Sequence, residues 1–387
     1  MTEHPFRLLL VGPAPPPLHG VSAFVRELAA TGLGADVQMR WVDTSDHRSA
    51  DNLGRWDAVN LYSGLRSLAE IAWQCLRFRP DLVYLPLSQN TPACLRDALF
   101  VLQTRLLGSS AVLHLHGGGF RRFFDQSSAW FRVWMRFTLR RSSGVFVLGE
   151  CFRPIFDQLL PPDRIWVTPN GVLDPGAWEL RAQQPFQAPP ADGGVVVCLG
   201  TLHRDKGLFT LLDAAEIMVG RRKRFRLRLA GPWQDQATRL EFEARRQASF
   251  PAGTVEVLPP ISGEAKARFL AEADLFCLPT RWPHEGQPLV ILEALAAGLP
   301  IIAARHAAIP ETLGAAPPGA LLPADADGRA LALVWEEFFS VPERLRLAGE
   351  TARSLYLQRY TWAACLTRLK AALIAAAQPP MGGGDLN

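Results

Sequence analysis

Twice along this chain, short apolar runs alternate with helix-like segments, and many of the runs close on a turn bearing glycine or proline. Phe6 to Val11 ends in Gly12 and a proline-rich loop, and a helical segment follows from about Gly20 through Ala30. Runs at Asp81 to Leu85, Ala111 to Leu115, Val145 to Leu148 and Ile165 to Thr168 read as further buried strands, with helical character over 61–78 and 92–107. Strands this apolar have no wet face, and a helix between successive strands makes the sheet parallel and covered on both sides. Residues 181–194 hold three prolines and two glycines and no apolar period, which marks a linker. The grammar then restarts, with strands at 195–199, 225–230, 254–258, 275–278 and 300–303 and helices at about 207–219, 263–271 and 288–297. The expectation is an α/β protein of two doubly wound, Rossmann-like domains facing across a cleft, where such strands end and ligands commonly bind. Its parts are 1–180, a linker 181–194, a second domain 195–355, a helical segment 356–377 returning toward the first domain, and a tail 378–387. A length of 387 residues agrees with two domains, at about 150 residues each.

Composition removes several functions. Lys plus Arg is 41 against 37 for Asp plus Glu, a net charge of +4, so no general nucleic-acid surface is indicated. The six cysteines are scattered without a CxxC pair, which argues against a disulfide framework or a structural zinc. The start, MTEHPFRLLLVG, lacks the pattern of a secretory signal, and no segment offers the run of roughly 20 apolar residues that spans a bilayer. A cytoplasmic protein is expected, with attachment to the inner face of a membrane left open.

The most informative stretch is Pro279 to Glu311, PTRWPHEGQPLVILEALAAGLPIIAARHAAIPE. Glu285 precedes Gly286 in a strand-to-helix loop, and Glu293 lies two turns into the helix. Backbone N–H groups from Gly286, Gln287, Leu289 and Val290 would face an anion there, Pro288 having none to give. Carboxylates accept hydrogen bonds from sugar hydroxyls, so a nucleotide-sugar meets both features. By spacing alone, the same glutamates are also those of an ordinary surface helix.

This stretch resembles the E-x7-E region of the retaining GT-B glycosyltransferases of family 4 (group 1), through P-x-EG-x-P-x-x-x-LEA-x-A-x-G-x-P and the downstream Ile309, Pro310 and Glu311. The resemblance implies Glu285 near the transferred sugar, the following amides near sugar or phosphate oxygens, and Glu293 on the ribose. LGTLHRDKG at 199–207 resembles the family's G-R-L-x-x-x-K-G element, which implies Lys206 at the diphosphate; Thr201 stands where the family has arginine, which leaves two readings open, Arg204 as a substitute charge or a donor site of altered geometry and weaker activity. His116 in HLHGGGF matches the family's HG element and is implied near sugar or acceptor, with His114 left structural. Gly20 keeps one of two family glycines near the donor phosphate or acceptor, and Val21 replaces the other. PNGVLD at 169–174 reads as a turn, and Asp325-Ala326-Asp327 as a capping or solvated loop, so no metal is implied.

Phe120 to Arg141 mixes six arginines with aromatic residues and one acid. It suits an anionic membrane surface or a lipid-linked acceptor; a basic helix packing its aromatic stripe inward has the same composition. The expected activity is retaining transfer of a sugar from a nucleotide-sugar, UDP- or GDP-linked, to a hydroxyl acceptor in cell-envelope or exopolysaccharide synthesis. The donor is a substrate; no cofactor, metal or nucleic acid is implied. A GT-B-like epimerase or phosphorylase, or a noncatalytic carbohydrate-binding subunit, stays open.

Overall fold

The computed structural model describes residues 4–16, 19–45, 58–183 and 194–378. Most of the expected linker and all but the first residue of the expected tail lie outside them. Two compact units result, Met1–Pro169 with Leu366–Asn387, and Asn170–Cys365.

The first unit holds six parallel strands, β1 (Phe6–Gly12), β2 (Val37–Asp43), β3 (Leu82–Pro86), β4 (Ser110–Leu115), β5 (Gly144–Val147) and β6 (Ile165–Val167), in the order β2-β1-β3-β4-β5-β6. Leu8, Leu9, Leu10, Val83 and Leu113 are fully or almost fully buried in its centre. The last helix, Trp362–Ala377, is tied to the start of β2 by Lys370 Nζ, 2.5 Å from Asp36 Oδ1.

The second unit repeats the plan with β7 (Val195–Leu199), β8 (Arg226–Ala230), β9 (Val255–Leu258), β10 (Leu275–Leu278), β11 (Ile301–Ala304) and β12 (Gly319–Leu322), ordered β12-β11-β10-β7-β8-β9. The chain runs outward from β7 to β9, then returns to β7's other side as β10. Loops leaving β7 and β10 therefore turn to opposite faces and open a crevice at their carboxyl ends, the usual ligand position in such sheets.

The apolar-run pattern does not predict β2, β12 or the helix Gln236–Ser249. Both strands are edges: β2 buries only Val37 and Val42, and β12 is only partly buried throughout. The helix buries only Thr238 and Phe242. Among the described residues no helix is long and apolar enough to cross a membrane.

Candidate functional site

In the second unit, the loops after β7 and β10 bring Lys206 and Glu285 together. Lys206 Nζ lies 3.2 Å from Glu285 Oε2, and the same oxygen accepts from Thr280 Oγ1 at 3.1 Å. Glu285 is only 7% exposed, and these two partners stand where water would otherwise meet its carboxylate. The Arg281 N–H donates to Asp205 O at 2.5 Å, joining the two loops by backbone. Gly207, which follows Lys206, has φ +83°, and a Cβ there would lie 2.5 Å from both Cγ and O of Pro279. Only glycine lets the lysine loop sit this close to the glutamate loop.

The helix Leu289–Ala296 starts after Pro288 with no side-chain cap. Its first N–H groups, those of Leu289 and Val290, have no intrahelical acceptor and carry the positive end of the helix dipole. Gly286 is buried beside them, and its carbonyl accepts from Ala308 N at 3.2 Å. The Gln287 side chain is used within the protein: Oε1 accepts from Asn170 N at 2.7 Å, and Nε2 donates to Thr312 Oγ1 at 3.0 Å. What it can offer a ligand is its backbone. Farther along the helix, Glu293 Oε1 accepts from Lys266 Nζ at 2.7 Å, while Oε2 is buried with no partner. A buried carboxylate oxygen left over is costly unless a donor arrives.

Arg204 stands on the same short turn as Lys206, but its guanidinium pairs with Glu241 and lies 4.5 Å over the Phe209 ring. Thr201 is exposed. Lys266 and the Asn170–Gln287 link escape sequence reading because their partners are distant in the chain; only the lysine's place on an amphipathic helix could have hinted at the first.

In the first unit, His116 follows β4 and is enclosed by aromatic residues. Its ring lies tilted by 34° against that of His114, with centroids 3.9 Å apart, and 5.1 Å from that of Phe24. Tyr84 Oη is 2.6 Å from His114 Nδ1 and 3.1 Å from His116 Nε2. One hydroxyl proton serves only one of them. The shorter contact has the length of O–H···N donation and the longer that of N–H···O, so we assign the proton to His114 and let His116 donate from Nε2. His114 then carries its hydrogen on Nε2, toward Thr168 Oγ1 at 3.4 Å, and His116 keeps Nδ1 as an acceptor for a ligand hydroxyl. Burial, and then the nearby His19, push the His116 pKa down to about 3. Burial also lowers His19 and, far more, His114. Gly20 opens the helix Gly20–Thr31 behind the capping His19, and among the described residues beyond its chain neighbours and its own helix backbone a Cβ there would meet no atom within 4 Å.

These imidazoles predict a pH dependence. Unfolding releases them to bind protons near 6.5, while folded His116 stays neutral down to about 3. Stability is full above about pH 6.5 and falls as pH drops below it toward 3. Melting temperatures at pH 7.5, 6.5 and 5.5 should show the drop, with a shallower one in His116→Gln; equal slopes would contradict it.

Other marked residues take structural places. Asp327 Oδ1 caps the helix Gly328–Ser340 through Ala330 N at 2.8 Å. Asp174 pairs with Arg353. Among the described residues no cluster of three or more His, Cys, Asp or Glu could hold a metal ion.

Comparison with known proteins gives consistent results. The family model of glycosyl transferases group 1 matches residues 181–355, and that of the glycosyl transferase 4-like domain matches 3–171. A putative colanic acid biosynthesis glycosyltransferase, WcaL of Salmonella typhimurium, is 30% identical over 212 residues, covering 50% of this chain and 48% of that protein. A phosphatidyl-myo-inositol mannosyltransferase of Mycolicibacterium smegmatis is 32% identical over 176 residues, covering 45% and 43%. The matched stretches thus span about half the length of these relatives. In fold, the chain is similar to Anabaena Alr3699/HepE, solved in complex with UDP, with TM-score 0.70 and 15% identity over 96% of this chain and 100% of that one. It is also similar to sucrose-phosphate synthase from Thermosynechococcus elongatus, with TM-score 0.68 and 18% identity over 95% and 98%.

Proposed function

Because the chain belongs to the group 1 glycosyltransferases of family 4, built on the GT-B fold, we propose that it moves a sugar from a nucleotide-sugar to a hydroxyl acceptor with retention of anomeric configuration. The observation that carries this reading is Glu293, whose buried Oε2 lacks a donor at the helix whose uncapped N-terminus suits an anion. A ribose hydroxyl supplies that donor, and the attached diphosphate meets the Leu289 and Val290 amides and Lys206.

In this mechanism the bond from the anomeric carbon to the diphosphate oxygen breaks while Lys206 and the helix amides take up the growing negative charge. The acceptor oxygen bonds to the same face of the anomeric carbon, and its proton passes to the departing phosphate oxygen. Glu285 accepts from sugar hydroxyls and orients the ring. Neutral His116 orients a hydroxyl of sugar or acceptor through Nδ1. Arg204 reaches the diphosphate only by leaving Glu241, and is assigned an electrostatic part from a distance. No resident cofactor or metal enters this reading.

The donor is a UDP- or GDP-sugar. HepE was solved with UDP, and with UDP-glucose, while another relative is named a GDP-mannose-dependent mannosyltransferase. The product belongs to cell-envelope or extracellular polysaccharide, in keeping with relatives named for colanic acid and amylovoran biosynthesis. We place the reaction on the cytoplasmic side of a membrane, on a glycan or lipid-linked acceptor.

Titration of UDP-, GDP-, ADP- and dTDP-sugars into the pure protein tests the donor site. One base should bind selectively, about tenfold or more weakened in Glu293→Ala, as expected when a charged hydrogen-bond acceptor is removed. Equal binding by the parent and by Glu293→Ala would overturn the assignment.

A further inference from the structure

We infer that the outward face of three adjacent helices in the first unit docks on an anionic phospholipid bilayer. This deepens the proposed membrane-side acceptor and rests on that reading for its purpose, though its physics stands apart from the sugar chemistry.

The helices are Ala58–Arg77, Thr91–Leu106 and Ala129–Arg141. They connect β2 to β3, β3 to β4 and β4 to β5, steps that all advance in one direction across the sheet. Right-handed connections put such helices on one face, and the first of them does pack on the second and the second on the third. The helix Gly20–Thr31, whose connection runs the opposite way, belongs to the other face.

The outer side of this layer exposes large apolar residues among its arginines. On Ala129–Arg141, Phe131, Met135, Thr138 and Leu139 face inward. Trp130, Val133 and Phe137, at i, i+3 and i+7 on the opposite side, are 60%, 65% and 41% exposed. Tyr62, Leu65, Trp73 and Leu76 on the first helix and Leu99 and Leu106 on the second are exposed as well. A groove of about 400 Å³ is lined by Val133, Arg136, Phe137, Arg140 and Arg141.

Charge identifies the partner. The three helices carry eight arginines and no lysine, against Glu70 and Asp97 as their only acids, so they hold more positive charge than the +4 of the whole chain. The remainder of the protein is net acidic. Asp97 is buried and bonded to Arg96 and to the Ser88 amide. Among the described residues, no ion pair joins Arg136, Arg140 or Arg141 to a carboxylate; Arg136 lies over Phe124 and Arg141 over Phe137. Guanidinium groups fork onto phosphate oxygens, and exposed Trp and Phe settle at the headgroup level. A neutral bilayer would leave the arginines unanswered, whereas an anionic one takes up both the arginines and the apolar stripe between them.

Cosedimentation of the full chain with phosphatidylcholine vesicles, with and without phosphatidylglycerol, tests this. Binding is expected only to the anionic vesicles and should weaken with salt. Arg136→Glu/Arg140→Glu/Arg141→Glu should lose it by about 10²-fold or more, and Trp130→Ser/Phe137→Ser by at least about tenfold. No binding at low salt, equal binding by the arginine variant, or a solution dimer broken by Trp130→Ser/Phe137→Ser would each overturn the inference. Nucleotide-sugar binding measured on the same samples separates the two readings: vesicle binding lost with donor binding intact sinks the docking face alone.

Discussion

Replacing Lys206 with alanine should reduce sugar transfer about 10²–10³-fold, the usual cost of removing one charge-stabilising group from a transition state. The loss should fall mainly on kcat, because the diphosphate gains charge as its bond to the sugar breaks. The variant carries a second defect. The Glu285 carboxylate is left nearly buried with, among the described residues, Thr280 Oγ1 as its one side-chain hydrogen-bond partner, so the protein also becomes less stable. The double variant Lys206→Ala/Glu285→Gln removes that unpaired charge and should recover the melting temperature without recovering transfer. Near-parental kcat in a folded Lys206→Ala sample would end the lysine's assigned role.

Gly207→Ala should be nearly as damaging while leaving every functional side chain in the sequence. At φ +83° an alanine pays for the left-handed backbone, and its Cβ would sit 2.5 Å from the Pro279 carbonyl oxygen. Together these cost on the order of 2–5 kcal/mol if the loop holds its place. If it yields instead, Lys206 moves away from Glu285. Calorimetry and donor titration on one sample should find a lowered melting temperature, weakened donor binding, or both. Parental values for both would mean that the two loops are not held as close as described.

The strands β7, β10 and β11 of the second unit were legible because each is a continuous apolar run. Val195–Leu199 and Leu275–Leu278 are buried on both faces, and nothing but a central strand has that composition at that length. Edge strands lack this signature: in β2 only Val37 and Val42 are buried, with Gln38, Met39, Arg40 and Trp41 between them exposed or half-buried, as in many loops. At the candidate site, Lys206 and Glu285 could be picked out by motif, but no local pattern reveals that they meet. Contacts formed across long loops were out of reach for the same reason. Arg204 has the right charge in the right loop, and only the fold shows Glu241 beside it. Lys266 is unremarkable in sequence until the helix it rides on is laid against Glu293. His114 is marked by its strand position alone, whereas its bond with Tyr84 makes it part of what fixes the tautomer of His116.

The Lys206–Glu285 contact also sets a threshold for which anions the loop admits. The ammonium is already shared with a carboxylate that cannot diffuse away, so every incoming ion competes with a tethered rival. Chloride or acetate offers it no more charge than Glu285 does, and has no second contact to add. A diphosphate brings a higher charge and several oxygens, and can draw on the ammonium and the neighbouring amides at once. Under the proposed function, monovalent anions would thereby meet an internal competitor that a multiply charged leaving group outmatches.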